Sequence, residues 1–318
     1  MGLEHGETGE LVSARKNYLG GETVFPEAFA YYAAHTLDEA LDYVDQYGYD
    51  AKILAGGQSL LPLMKLRLAA PAVLIDINAV AELTGVTETD GQLHLGALTR
   101  HSTMEFGCWP QHPLVAEAAQ QIADPIVRNR GTVAGSLAHA DPAADWGAVL
   151  LALNARVEVR DKHQSRAMPM REFFIDTFTT ALQPTEIITR VEIPAPPAFG
   201  YVGGHYYKLE RKVGDFAVVG VAVTATLDQG GRVLSAGIGL SAVGTTSLKA
   251  TGAEEILVGQ RLTPELISEA AQVAASESSP FGDRRGSEEY KRAMVQVFVE
   301  RGLLAIAEGG SRVTVHSA

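Results

Sequence analysis

The spacing of apolar residues in the first part of the chain predicts a strand–turn–helix–strand unit. A first helix is expected over Leu37–Tyr47, because its apolar residues recur at helical spacing between a capping residue, Thr36, and a closing glycine, Gly48. The elements expected after it are a strand, a glycine-rich turn, a helix and a second strand, at Lys52–Leu54, Ala55–Ser59, Leu60 onward and Val73–Ile77.

The next part of the chain predicts a second unit that also contains a glycine turn, with an unrelated sequence. Its elements are a strand at Gln92–Leu95, a helix introduced by His112-Pro113 and running through Ala123, a glycine turn at Gly131–Ser136, a helix ending near Leu153, and strands at Arg156–Arg160 and Ile187–Ile193. Pro194-Ala195-Pro196-Pro197 then forms a linker, since prolines stiffen a connection and exclude helix.

The pattern changes after this linker. Strands are predicted at Gly203–Leu209, Phe216–Leu227 and Val233–Ala242, and helices at Leu248–Val258, Pro264–Ser276 and Ser287–Ala307. Strands followed by helices indicate a separate α+β domain. We therefore expect a flexible leader over 1–21, a first domain over 22–198 with subdomains of about 22–80 and 81–198, and a second domain over 199–318.

The bulk composition excludes several functions. The chain of 318 residues carries a net charge of −12, whereas a protein that binds a nucleic-acid backbone needs a basic surface. Its longest apolar stretches, such as Ala148–Leu153 and Phe216–Val223, are far shorter than the ~18 residues of a membrane-spanning helix. Because the N-terminus is polar and lacks a secretory pattern, we expect a cytoplasmic protein without a membrane span.

Cysteine usage limits the redox chemistry that this chain can perform. The single cysteine, Cys108, can form neither an internal disulfide nor an iron–sulfur cluster, which usually needs about four thiolates. We expect Cys108 to be a small buried hydrophobic residue. The nine histidines show no metal-ligand spacing, so no metal site is expected. Electron chemistry in this chain would therefore need an organic cofactor.

The two glycine turns are the candidate binding features. A glycine between a strand and a helix lets a ligand approach the backbone closely and leaves N–H groups free at the start of the helix, which suits a phosphate. Either turn could instead join its strand and helix without binding a ligand, because the dinucleotide fingerprint G-x-G-x-x-G is absent. Gly237-x-Gly239 is interpreted instead as a strand that packs closely on its neighbours. The residues alone thus indicate a nucleotide-like ligand.

Three longer motifs carry a resemblance to a known family. They are Ala55–Arg67; Arg128–Ser136 with Ala138–Asp145 after it; and Tyr206–Lys212 with Asp215–Ala217 after it. In this order they resemble motifs of the FAD-binding medium subunit of molybdenum hydroxylases, the family of the carbon monoxide dehydrogenase medium subunit and the xanthine dehydrogenase FAD domain. The resemblance runs from about Phe25 to Leu304. It implies an α+β protein: a PCMH-type FAD-binding domain of two subdomains, then a C-terminal domain with a three-stranded antiparallel sheet and helices.

The resemblance also implies a set of residues that bind FAD without a covalent bond. They are Ile53, Leu54, Ala55, Gly56, Gly57, Gln58, Ser59, Leu60, Ile122, Thr132, Val133, Ala134, Gly135, Ser136, Asp145, Ile188, Tyr206 and Lys208. The two turns would hold the phosphates and the ribityl chain. Asp145 would contact a sugar of the cofactor, and Ile122 and Ile188 would pack against the flavin or the adenine.

Two further side chains are implied at the isoalloxazine. Lys208 would lie near it, where a cation favours the reduced, anionic flavin, and Tyr206 is expected to stack over the ring, with Tyr207 as the neighbouring alternative. The sequence departs from the family motifs at two positions. Ala134 replaces a common glycine, so a turn that needed a positive φ there would be strained. Gln58 replaces a histidine of carbon monoxide dehydrogenases, which favours a relative acting on an organic substrate.

The resemblance further implies partner chains. A large subunit with the molybdenum cofactor and a small subunit with two iron–sulfur clusters would join this chain in a dimer of heterotrimers. Electrons would pass from the clusters through FAD to an external acceptor, and no residue here would act as a catalytic acid or base. The alternatives are a stand-alone flavin-dependent oxidase or reductase of the same superfamily and a scaffold without flavin. The sequence identifies neither the substrate nor the acceptor.

Overall fold

The structure is a computed structural model that describes residues 10–12, 26–309 and 313–315. The first subdomain contains β1 (Glu10–Val12), β2 (Phe29–Ala33), α1 (Leu37–Tyr47), β3 (Ala51–Leu54), α2 (Leu60–Lys65) and β4 (Val73–Asp76). Its sheet has the order β1-β2-β4-β3, in which β2, β4 and β3 are parallel and β1 is antiparallel to β2. Of the expected leader, 10–12 form β1, and the rest lies outside the described residues.

Helix α1 has the predicted bounds because its end signals are local. The Thr36 hydroxyl accepts a hydrogen bond from the Glu39 N–H at 3.1 Å, and Gly48 ends the helix with a φ of 48°. The next elements form the predicted strand–turn–helix–strand unit, with β3 and β4 parallel. The turn between β3 and α2 therefore lies at the carboxyl edge of a parallel pair of strands.

The second subdomain is built on an antiparallel sheet with the order β5-β6-β11-β7-β8. Its strands and helices are β5 (Val86–Thr89), β6 (Gln92–Gly96), α3 (His101–Phe106), α4 (Pro113–Gln120), α5 (Pro125–Arg130), α6 (Val133–His139), α7 (Asp145–Ala152), β7 (Arg156–Arg160), β8 (Ser165–Pro169), β9 (Phe174–Asp176), β10 (Thr179–Thr180) and β11 (Ile187–Ile193). Helix α6 packs on β11 of this sheet, and β9 pairs with β10 in a separate hairpin.

The predicted helix through Ala123 is wrong at its end. Helix α4 stops at Gln120, Ala123 takes a positive φ of 45°, and α5 begins at Pro125. Helical backbone is disfavoured at Asp124 because a proline follows it. Asp124 instead caps α5 by accepting from the Val127 N–H at 2.9 Å. Helix α5, which the sequence did not predict, leads directly into the second glycine turn.

The C-terminal domain contains β12 (Tyr201–Leu209), β13 (Val219–Leu227), β14 (Val233–Ser241), β15 (Leu248–Lys249), α8 (Thr251–Leu257), α9 (Pro264–Glu277), α10 (Glu288–Ala307) and β16 (Val313–Thr314). Its antiparallel sheet has the order β15-β14-β13-β12-β16. The predicted three-stranded sheet is therefore the centre of this sheet, and two-residue strands flank it on both edges.

Helices cover both faces of the C-terminal sheet. One face packs on α8, α9 and α10 and forms a core of its own. The other face, which carries Tyr206 and Ala222, joins the core that the first two subdomains share. There a side chain at Gly237 or Gly239 would overlap the carbonyl oxygen of Ala152 or Ala148, so β14 and α7 approach each other through glycine. This confirms the close strand packing inferred for Gly237-x-Gly239.

Two further features of the described residues concern exposure. Cys108 is exposed, so the expectation of a buried hydrophobic residue is wrong: it follows α3 in a connection between two helices rather than lying on an inward face. No helix in residues 26–309 is long and apolar enough to cross a membrane.

Candidate functional site

The two glycine turns lie against each other. A side chain at Gly56 in the first turn would overlap the carbonyl oxygen of Arg130, and its Cβ would lie 2.7 Å from the Cα of Gly131. The backbones therefore meet at a distance that only glycine permits at position 56. Two turns that are about 75 residues apart in the chain thus lie together in one seam. From the sequence alone, each turn could also have been a plain connection.

The first turn presents backbone N–H groups. Gly57 has a φ of 71°, which reverses the chain between β3 and α2. The carbonyls of Gly57 and Ser59 accept from the first residues of α2, at 3.2 and 3.1 Å. In the part of the chain that the structure describes, the N–H groups of 56–59 donate no hydrogen bond. Unpaired N–H groups on a half-buried turn can receive an anion.

Asn78 holds the first turn in place. Its side-chain amide donates to the Ala55 carbonyl at 2.8 Å and to Asp76 Oδ1 at 2.7 Å. Asp76 ends β4, and its other oxygen accepts from the Tyr31 hydroxyl at 2.7 Å. Sequence reasoning missed Asn78. Its position just after β4, at the same sheet edge as the turn after β3, was the available signal.

The second turn is fixed by its own cap and by the segment before α3. The Thr132 hydroxyl accepts from the Gly135 N–H at 3.1 Å, and the Val133 N–H donates to the Thr99 carbonyl at 3.0 Å. Ala134 is buried in the first turn of α6 and does not have a positive φ. The strain considered for an alanine at this position does not arise, because the backbone there is helical.

His101 and Trp146 support the second turn from behind. Trp146 Nε1 donates to His101 Nδ1 at 3.0 Å, and a Cβ on Gly131 would lie 2.6 Å from His101 Nε2. Burial, together with the charges of Arg100 and Arg128, lowers the pKa of His101 from 6.5 to about 4. The imidazole is therefore neutral at pH 7 with its proton on Nε2, since Nδ1 accepts from an indole that can only donate.

A second group of predicted residues forms a buried polar cluster between the domains. The Tyr206 hydroxyl donates to Asp145 Oδ1 at 2.7 Å, and Lys208 Nζ lies 3.2 Å from the same carboxylate. Lys208 also donates to the Gln121 carbonyl at 2.9 Å. Burial raises the pKa of Asp145, and Lys208 opposes that shift. Asp145 begins α7, whereas Tyr206 and Lys208 lie on β12, so the cluster ties the two domains together.

The enclosure of Tyr206 argues against the stacking expected of it. Its side chain is 1% exposed, and its hydroxyl is engaged by Asp145 inside the core, so neither ring face is open to a flavin. Tyr207 points to the other face of the sheet, where it stacks on Phe298 at 5.6 Å. Neither tyrosine therefore offers a free ring for the isoalloxazine in this arrangement.

The other predicted residues divide between the seam and the core. Ile122 and Ile188 are buried in the core that the first two subdomains share. Arg128, the first residue of the second motif, pairs with Glu105, with Nε 2.7 Å from Oε2. Arg130 is exposed beside the seam. The structure thus brings the two turns together and leaves Arg130, rather than Arg128, free to face a ligand.

Two family models match consecutive parts of the chain. The family described as FAD binding domain in molybdopterin dehydrogenase matches residues 27–196, and the family described as CO dehydrogenase flavoprotein C-terminal domain matches residues 204–306. The chain therefore belongs to the family of FAD-binding subunits of molybdenum hydroxylases, a class of oxidoreductases. The expected family and α+β fold are confirmed.

Relatives of known activity extend over nearly the whole chain. The carbon monoxide dehydrogenase medium chain of Hydrogenophaga pseudoflava is 40% identical over 284 residues, which are 89% of this chain and 98% of that one. The alpha subunit of the 6-hydroxypseudooxynicotine dehydrogenase complex of Paenarthrobacter nicotinovorans is 38% identical over 280 residues, covering 87% and 94%. A solved carbon monoxide dehydrogenase from Hydrogenophaga pseudoflava superimposes with a TM-score of 0.84 at 41% identity, covering 88% and 98%.

Proposed function

We propose that this chain is the electron-transfer subunit of a heterotrimeric molybdenum hydroxylase. In this proposal it receives electrons from the iron–sulfur clusters of a small partner and passes them, through non-covalently bound FAD, to an external acceptor. A large partner would carry the molybdenum cofactor. The observation that carries the proposal is the seam between the two glycine turns, with its close approach at Gly56 and its unpaired N–H groups.

The described residues fit a dinucleotide at this seam. Ile53–Leu60 and Thr132–Ser136 would hold the phosphates, because their backbones converge there and Gly56 leaves no side chain in the way. Ile122 and Ile188 would supply apolar contact, and Asp145 and Lys208 would contribute a fixed pair of charges from the domain interface. FAD supplies the redox chemistry when it is bound, and the chain supplies binding, orientation and electrostatics.

The first experiment measures flavin in the purified chain. We expect absorbance at about 450 nm that is released as FAD on denaturation. Gly56→Val should lose the flavin, because its side chain overlaps the Arg130 carbonyl. Gly282→Ala is the matched control, since the nearest atom to its added Cβ lies at 3.7 Å. Flavin retention by Gly56→Val, with an unchanged melting temperature, would refute the role of the seam.

A second experiment tests the partners. The chain is purified at low salt from cells that express its neighbouring genes, and the metal content of the co-purifying chains is measured. The proposal expects a large chain with molybdenum and a small cysteine-rich chain with iron. A chain that purifies alone, holds FAD and oxidises an organic substrate with dioxygen would instead be a stand-alone flavoenzyme.

A further inference from the structure

Arg100 is anchored where the two glycine turns meet. It lies between β6 and α3, and its main chain forms an antiparallel bridge with Thr132 of the second turn. The neighbouring His101 N–H donates to the Gly131 carbonyl at 3.1 Å, which completes this bridge. The backbone of Arg100 is therefore fixed relative to the second turn before its side chain makes any contact.

The guanidinium of Arg100 links the second turn to the first. Nη1 donates to the Arg130 carbonyl, the oxygen that a side chain at Gly56 would overlap. Nη2 donates to Asn78 Oδ1 at 2.7 Å, and the Asn78 amide in turn holds the Ala55 carbonyl at 2.8 Å. One side chain thus bonds to both sides of the seam. A guanidinium carries more N–H donors than these two bonds use.

The charge around this side chain is unbalanced. Within residues 26–309, neither Arg100 nor Arg130 has a carboxylate oxygen within the 4.0 Å of an ion pair. The carboxylate that acts on Arg100 is Asp76, which raises the pKa of Arg100, but its oxygens already accept hydrogen bonds from Tyr31 and Asn78. Burial and the charge of Arg130 both lower the pKa of Arg100. Two neighbouring cations without a counter-ion repel each other, and an anion between them removes that repulsion.

We propose that Arg100 binds the pyrophosphate of FAD with its remaining N–H donors and that Arg130 adds a second positive charge at the same place. The inference rests on the proposed flavin site and adds a residue that the glycine motifs do not contain. Arg100 would then do two things at once, since the guanidinium that joins the two turns also faces the charge that they enclose. An arginine suits this role because its planar fork can donate to a phosphate and to backbone carbonyls together.

The test compares two ligands on three variants of the full chain. Dissociation constants for FAD and for riboflavin, which has no phosphate, are measured by flavin fluorescence. Arg100→Met removes the charge and the fork, and Arg100→Lys keeps the charge alone. Arg160→Met is the control, because Arg160 lies on β7 and pairs with Asp38 of α1, outside the seam. Melting temperatures without flavin show whether each variant is folded.

We expect Arg100→Met to weaken FAD binding by about 10- to 100-fold, the loss typical of a charge-assisted hydrogen bond. Riboflavin affinity should fall by a clearly smaller factor, since its loss reflects the position of the turns alone and no phosphate contact is lost. Arg100→Lys should recover part of the FAD affinity, and Arg160→Met should match the wild type. A parallel loss of both ligands would overturn the proposal, because Arg100 would then only hold the turns together. Unchanged FAD affinity would overturn it as well.

Failure of the proposed function has a different signature. If the wild-type chain binds no FAD, the flavin proposal fails, and calorimetry with inorganic pyrophosphate then decides the anion site. Pyrophosphate binding to the wild type that is lost in Arg100→Met would support the role of Arg100. Equal pyrophosphate binding to both proteins, or none to the wild type, would overturn it.

Discussion

Protonation of His101 should destabilise the protein in mildly acidic solution. The neutral ring accepts from Trp146 and packs against Gly131 of the second turn. A protonated ring would donate at both nitrogens, so the bond from the indole N–H would be lost. The positive charge would also be buried near Arg100 and Arg128, which already lower the pKa of this imidazole.

The size of the effect follows from the difference between the unfolded and folded pKa. The value falls from 6.5 in the unfolded chain to about 4 in the folded protein. At pH values between these two pKa values the unfolded chain binds more protons than the folded protein does. The free energy of unfolding therefore decreases as the pH falls through this range. Each pKa unit corresponds to about 1.4 kcal/mol, and the loss approaches about 3 kcal/mol near pH 4.

Urea unfolding at pH values from 7 to 4.5, followed by tryptophan fluorescence, measures this loss. Burial also lowers the pKa of His112, so the wild-type slope contains more than one histidine. His101→Asn isolates the contribution of His101, because an amide oxygen can accept from Trp146 but does not titrate in this range. The variant should be less stable at pH 7 but should lose less stability on acidification. An identical pH dependence in both proteins would refute the reasoning.

Three other substitutions test the packing around the site. Tyr206→Phe removes the hydroxyl that donates to buried Asp145 and should lower the free energy of unfolding by about 1–3 kcal/mol in a urea titration. Gly239→Ala drives a methyl group into the Ala148 carbonyl and should cost about 1–3 kcal/mol, seen as a lower melting temperature. Ala134→Gly should cost about 1 kcal/mol, since it weakens a helix, and should leave the FAD dissociation constant unchanged.

Matched controls separate these effects from general damage. Tyr201→Phe changes the same residue type on the same strand, where the side chain is 37% exposed, and should be nearly neutral. Gly282→Ala adds a methyl group in open space and should also be nearly neutral. Tyr206→Phe or Gly239→Ala with no more effect than its control would contradict the packing described here, and tighter FAD binding by Ala134→Gly would contradict the helical backbone at that position.

The sequence predicted those elements whose signals are local. Helix α1 is bounded by Thr36 and Gly48, and both act through residues within four positions. Strand β5, at Val86–Thr89, was missed because its side chains are mostly exposed and show no apolar alternation. Strand β13, at Val219–Leu227, was predicted because helices cover both of its faces, so nearly all of its residues are apolar and buried.

The candidate site was only partly predictable for the same reason. Glycine between a strand and a helix indicated the two turns, and the family motifs added Asp145 and Lys208. That these two side chains contact each other across 63 positions follows from the packing of α7 on the C-terminal sheet, which no local sequence pattern indicates. Asn78 and Arg100 escaped notice because each acts on the turns from a different connection, and their polar side chains are ordinary for a loop.

The contact between α7 and β14 is made by main-chain atoms on the helix side and by glycine on the sheet side. The helix and the strand should therefore differ in the substitutions that they tolerate at this interface. Positions 148 and 152 of α7 present carbonyl oxygens to the sheet, and every amino acid carries such an oxygen, whereas Gly237 and Gly239 accept no other residue without displacing a helix. A saturation library should therefore keep only glycine at 237 and 239, whereas positions 148 and 152, which hold alanines that are 0% and 1% exposed, should accept other small residues.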